Sequence, residues 1–137
     1  MIKPKSAFTV FIIDDLDAAK RFYTDHLGFS VVFDGEWYIH LISESGVQIG
    51  FLLPNQATQP PFFQSACTGS GVIFSLEVDN ADAAFALAKE KALDIVLELR
   101  SEDWGQRHFC IKDPNGLYLD IVQSFEPTEE YQKDYVS

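Results

Sequence analysis

Histidines and cysteines, the side chains best suited to bind a transition metal or attack a carbonyl, are few in this 137-residue chain: three His and two Cys. The candidate metal and acid–base groups are His26, His40 and His108 with Glu44, Glu77 and Asp120. A divalent ion needs several such atoms converging on one point. Nothing in the spacing of His40 and His108 resembles a chelate pair. His26 closes a helical run, where an imidazole meets the negative end of the helix dipole. Cys67 and Cys110 are too few and too unpatterned for a disulfide framework or a zinc site. Cys110, flanked by apolar residues, reads as a small core residue. No Ser-His-Asp order, nucleophile elbow or phosphate-binding glycine motif is present. Asp120 and Glu77 could act as acid and base if their surroundings hold them at different pKa values.

Composition narrows the partners. Ten Lys and Arg stand against 21 Asp and Glu, a formal net charge of −11. Such a chain repels phosphate backbones and anionic lipid, so neither nucleic acid nor membrane is an expected partner. No apolar run is long enough for a membrane span. The start, Met1-Ile2-Lys3-Pro4-Lys5, does not lead into a signal-peptide pattern, and the expectation is a cytoplasmic, reduced protein. Twelve Phe and five Tyr suit either a ring-rich core or a cavity partly lined by rings.

The elements that must position these groups come from an internal repeat. At an offset of 65 residues, Phe8 falls on Ile73, Asp14 on Asp79, Asp17 on Asp82, Ala18-Ala19 on Ala83-Ala84, and Val31 on Val96. Both copies read as apolar strand, acidic turn, amphipathic helix and a further strand, the mark of a duplicated module. The first copy predicts a strand over 8–13, a helix from Leu16 stopped by Gly28, a strand over 29–33, and a hairpin of 37–43 with 47–53. The second predicts a strand over 72–78, a helix over 81–92 and a strand over 95–99. Two more strands, near 107–111 and 117–122, flank the turn Asp113-Pro114-Asn115-Gly116. Residues 55–70 form a linker or lid carrying Phe62-Phe63. The acidic tail 125–137 is either a short helix docked by Tyr131 and Tyr135 or frayed.

Asp15-Leu16-Asp17-Ala18-Ala19, running into Phe22-Tyr23 and Leu27-Gly28-Phe29, resembles the opening module of the vicinal oxygen chelate superfamily. That superfamily includes glyoxalase I, extradiol dioxygenases, fosfomycin-resistance enzymes and bleomycin-binding proteins. Trp104-Gly105-Gln106-Arg107, leading to Asp113-Pro114-Asn115-Gly116, resembles its closing module, nearest to the bleomycin-resistance branch. The resemblance spans residues 7–124. It implies an α+β fold, two βαβββ modules forming half-barrels around a cavity, within one domain: module 1 over 7–54, module 2 over 71–124. It also implies a homodimer, because half-barrels in this superfamily often complete themselves across two chains. The superfamily's metal-ligand positions fall here on Phe8, Gly50, Ile73 and Asp120. Only Asp120 keeps an oxygen ligand, and one carboxylate does not hold a catalytic ion. The expectation is therefore no catalytic set, no metal and no cofactor.

Period-two alternation in that register gives a cavity face of Phe8, Val10 and Ile12; Gln48, Gly50 and Leu52; Ile73, Ser75 and Glu77; and Tyr118, Asp120 and Val122. The polar groups among them are Gln48, Ser75, Glu77, Tyr118 and Asp120. Trp104 is either a ring over the cavity mouth or a packing residue, and Arg107 is expected to pair with Glu102 or Asp103. The resulting function is small-molecule binding of the bleomycin-resistance type, for a hydrophobic ligand, with a cationic one such as an amine-bearing aromatic suited to the carboxylates. The alternative is a lyase-, isomerase- or dioxygenase-like enzyme with a relocated metal or carboxylate acid–base chemistry.

Overall fold

A computed structural model describes residues 1–136, and Ser137 lies outside the described residues. The chain divides into two compact units, Met1–Thr68 and Gly69–Ser137. Unit 1 runs β1 (Thr9–Ile12), α1 (Leu16–His26), β2 (Phe29–Asp34), β3 (Tyr38–Ser43) and β4 (Gln48–Leu52). Unit 2 runs β5 (Phe74–Glu77), α2 (Ala81–Glu90), β6 (Asp94–Glu102), β7 (Gln106–Lys112), β8 (Tyr118–Ser124) and α3 (Glu129–Gln132). The sheets have the orders β1-β4-β3-β2 and β5-β8-β7-β6, with β1 parallel to β4 and β5 parallel to β8. Each unit is thus a βαβββ module, and the 65-residue offset carries β1 onto β5 residue for residue.

The helix starts repeat the same chemistry. The Asp15 carboxylate accepts the Ala18 N–H at 3.0 Å, and 65 residues on the Asn80 side chain accepts the Ala83 N–H at 3.0 Å. Each cap satisfies an amide that the helix itself cannot. Gly28 follows α1 with φ +72°, a left-handed turn that side chains disfavour. In unit 1, α1 buries Leu16, Ala19 and Tyr23 against Phe11, Ile39, Ile49 and Phe51, which share one sheet face. In unit 2 Ala81 and Ala88 of α2 are buried together with Phe109, Ile111, Leu119 and Ile121. The alternate residues of every strand point to the other face, and that face carries the candidate site.

Several boundaries differ from expectation. The α2 helix ends at Glu90 instead of residue 92, where Ala92 already has φ +54°. Strand β6 runs on through Glu102 because its polar residues pair with β7 as far as Glu102↔Gln106. Phe8 and Ile73 precede their strands. The linker closes on itself: Gln64 Nε2 donates to the Gln56 and Gln59 carbonyls at 2.8 and 2.7 Å. Of the two alternatives for the tail, the docked helix is the one present. The Tyr131 ring lies edge-on to Trp104 at 6.3 Å, and the Tyr135 hydroxyl donates to the Trp104 carbonyl. Among the described residues no helix is long and apolar enough to cross a membrane.

Candidate functional site

In unit 1 the face opposite α1 is set by two registers. Val10 lies beside Gly50 in the β1–β4 pair, and His40 lies beside Gly50 in the β3–β4 pair. The His40 ring is fixed at three points. Nδ1 meets the Tyr38 hydroxyl at 2.6 Å, Nε2 meets Gln48 Oε1 at 2.8 Å, and the Phe8 ring stands edge-on at 4.8 Å. A carbonyl oxygen only accepts, so Nε2 carries the proton and Nδ1 accepts from Tyr38. Burial pushes the Tyr38 hydroxyl pKa above its ordinary value. Phe8, Gln48 and Gly50 of the expected site therefore come together, joined by His40, which the sequence reading held as a possible metal or acid–base group, and by Tyr38, which it did not include.

Gly50 shows why the superfamily's glutamate has no place here. A Cβ built on Gly50 would run into the Tyr38 hydroxyl and lie 2.9 Å from Tyr38 Cζ. Tyr38 fills the space a ligand side chain would need, and Phe8, at the histidine position, offers only a ring. These positions do not fit the superfamily's metal. Gly50→Ala should cost about 1–3 kcal/mol, the usual penalty for overpacking, because the Tyr38 ring must leave His40. In a Tyr38→Ala background the penalty should largely vanish in urea denaturation; an unchanged penalty would refute this account.

In unit 2 the corresponding face is polar. Residues alternate on β7 so that His108 and Cys110 point the same way, and the β7–β8 register sets Cys110 opposite Asp120. His108 Nδ1 lies 2.6 Å from Asp120 Oδ1 and Nε2 lies 2.8 Å from Glu102 Oε2. Arg100 Nε donates to the same Glu102 oxygen at 2.8 Å. Both ring nitrogens face carboxylate oxygens, an arrangement that favours the imidazolium, in which both donate. Burial acts to lower the His108 pKa, but its hydrogen bonds to the Glu102 and Asp120 carboxylates, with their charges, outweigh it and hold it above the ordinary value. Glu102 is held low, first by His108 and then by Arg100.

Cys110 is not a core residue, as expected from its apolar neighbours, but part of this polar face. Its thiol donates to Asp120 Oδ1 at 3.4 Å. Burial, with the nearby Asp120 charge, pushes the thiol up to about 12. The thiolate is the reactive form, so Cys110 should resist iodoacetamide at neutral pH in the folded protein and react after denaturation. Peptide mass spectrometry checks this, and fast labelling of native Cys110 would count against the assigned environment.

The other expected site residues are distributed around this cluster. Ser75 is the β5 neighbour of Asp120, and Glu77 Oε2 accepts from Ser124 Oγ at 2.8 Å. Tyr118 is 40% exposed, with Lys112 Nζ 5.7 Å from its ring centre. Ile73 is 69% exposed. Trp104 stands apart in the β6–β7 turn, its Nε1 donating to Gln106 at 2.8 Å and its ring against the tail. Arg107 does not pair with Glu102 or Asp103. It grips Asp82 at the start of α2 through Nε and Nη2 at 3.0 and 2.9 Å, because β7 passes beside that helix whereas Glu102 turns towards His108. Elsewhere in unit 1, an open acidic cleft of about 330 Å³ is lined by Asp14, Asp15, Asp17, Asp34 and Glu36, with Lys20 pairing Asp34 at 3.1 Å.

The geometry agrees with comparisons to known proteins. Among solved structures, the fold is similar to a superfamily member from Sphaerobacter thermophilus, at 21% identity and TM-score 0.72, covering 90% of this chain and all of that one. A lactoylglutathione lyase from Agrobacterium tumefaciens is similar at 19% identity and TM-score 0.71, covering 88% and 94%. TnmS3, an antibiotic binding protein from Streptomyces sp. CB03234, is similar at 22% identity and TM-score 0.68, covering 90% and 98%. These likenesses bear on the fold alone. No curated protein sequence matches the chain. The profile of one family matches residues 5–121, and by that match the chain belongs to the Glyoxalase/Bleomycin resistance protein/Dioxygenase superfamily.

Proposed function

We propose that the chain is a small-molecule-binding protein of the bleomycin-resistance type, sequestering an apolar, amine-bearing ligand without the superfamily's metal centre. The observation that carries this reading is the replacement of that centre: the Tyr38 hydroxyl occupies the space at Gly50, and Phe8 packs on His40. What remains on the two sheet faces is suited to binding. Phe8, Val10, Ile73 and Tyr118 leave apolar surface exposed, and Glu77 supplies negative charge for an amine, whereas the Asp120 carboxylate is engaged by His108. The antibiotic-binding function of TnmS3 is in keeping with this use of the fold. Cytoplasmic location and homodimer formation belong to the same proposal.

Native mass spectrometry and thermal unfolding with a panel of amine-bearing aromatics test it. A binder present at 100 times its Kd should add about 2.7 kcal/mol to stability, and the mass of the native species reads the dimer. Indifference to the whole panel, with no copurified organic mass, would overturn the reading. The polar cluster of unit 2 favours a second reading, a lyase- or isomerase-type enzyme. Its acid–base pair would be His108 with Asp120, since Asp120 bonds His108 and not Glu77.

A further inference from the structure

We propose that His108, Cys110 and Asp120 form a zinc-type divalent metal site contained within unit 2, with Glu102 as its outer-sphere partner. One ligand atom from each of the three lies within 4.8 Å of the others. Tetrahedral zinc bonds of about 2.0–2.3 Å imply ligand separations of about 3.3–3.8 Å. The 2.6 Å contact of Nδ1 with Asp120 must open by about an ångström, and the longest separation must close by a similar amount. Side-chain rotation on two paired strands covers such distances without a change of register.

The outer sphere is already assembled. Glu102 accepts the Nε2 proton of His108, which fixes the ring with Nδ1 turned to Asp120 and Cys110, and Arg100 holds Glu102 in turn. A carboxylate on the far nitrogen of a metal-bound histidine is the usual orienting contact. Nitrogen, sulfur and oxygen donors together favour zinc-like ions over magnesium or calcium, which take oxygen alone. Loading replaces the Nδ1 proton and the thiol proton: the ion enters, two protons leave, and imidazole, thiolate and carboxylate offset its two charges. Three protein ligands leave a fourth position for water or for a donor atom of a bound molecule.

The site differs from the superfamily positions, of which it shares only Asp120. It also revises the expectation drawn from spacing, because the chelate lies across a hairpin instead of along one segment. A purely hydrogen-bonded clamp on His108 would be complete with Glu102 and Asp120, and Cys110 would add to it only its long 3.4 Å bond to Asp120.

The 137-residue chain, purified without metal-affinity resin and stripped with chelator, would be titrated with Co²⁺ and then Zn²⁺. One equivalent should bind, with an intense near-ultraviolet thiolate-to-cobalt band that Zn²⁺ removes. Cys110→Ser, nearly isosteric and still able to donate to Asp120, should abolish the band, and Glu102→Gln should weaken affinity by about 10–100-fold. His26→Gln, in unit 1, should change neither. Circular dichroism confirms that each variant is folded. No stoichiometric binding by the wild-type chain, or binding that survives Cys110→Ser with its band intact, would overturn the site. These readouts involve no organic ligand, so they succeed or fail independently of the binding function proposed above.

Discussion

Phe51→Ala should destabilise unit 1 by about 3–5 kcal/mol, the range for truncating a buried aromatic ring. Phe51 has no exposed surface and sits at the centre of the helix-covered face of β4. Its ring is 4.9 Å from Tyr23 of α1 and 6.2 Å from Phe11 of β1, so one side chain ties the helix to the parallel strand pair. The neighbours that would have to collapse into the gap are held by strand registers on both sides, Phe11↔Phe51 and Ile39↔Phe51. A cavity that cannot close costs its lost contacts as well as the transfer energy. Urea denaturation checks the value. Phe62→Ala, at a 77% exposed linker position, should stay within about 0.5 kcal/mol. A Phe51→Ala loss below 1 kcal/mol would contradict the packing described.

The duplicated architecture was legible because its signals are local. An aspartate or asparagine before an Ala-rich helix start caps it with its own side chain, and residues 15 and 80 do so 65 positions apart. Period-two alternation likewise separated Phe11 and Phe51, on the buried face, from Val10 and Gly50, on the other. What sequence spacing did not give was long-range choice among partners. Arg107 had acids four and five residues away and instead took Asp82, 25 residues distant, because a strand and a helix that are neighbours in space need not be neighbours in the chain. The Tyr38 hydroxyl in the space at Gly50 depends on β3 lying beside β4 in one particular register.

The unit 2 cluster lies between these cases. The turn at Asp113 sets the hairpin: its Oδ1 accepts the amides of Asn115 and Leu117 at 2.9 and 2.8 Å, and Lys112 then pairs with Tyr118. Counting back from that pair puts Cys110 opposite Asp120, and strand alternation puts His108 on the same face. The signal was present in the sequence, but judging Cys110 by its apolar neighbours Phe109 and Ile111 hid it, since in a strand those neighbours point the other way.

Asp120→Ala should cost about 2–4 kcal/mol in chelator-treated protein, because it leaves a buried imidazolium with one carboxylate in place of two. His108 is only 7% exposed, so water does not replace the lost partner. The pH dependence gives the finer test. His108 has its pKa raised by folding, so the clamp's stabilisation is fully present below the ordinary histidine value and is lost as the pH rises through the raised one. Glu102 works in the opposite sense: its lowered pKa means that its contribution is present above the ordinary carboxylate range and is lost as the pH falls through the depressed value. The clamp should therefore be strongest between the two ordinary values, near pH 5–6. Asp120→Ala should remove much of the alkaline fall in stability, because the remaining imidazole gives up its proton more readily. The acid limb should shrink less, since Glu102 keeps Arg100. Proton NMR of the His108 ring across this range measures the shift directly. An unchanged His108 titration in the variant would mean that the 2.6 Å contact with Asp120 does not set the charge of the ring.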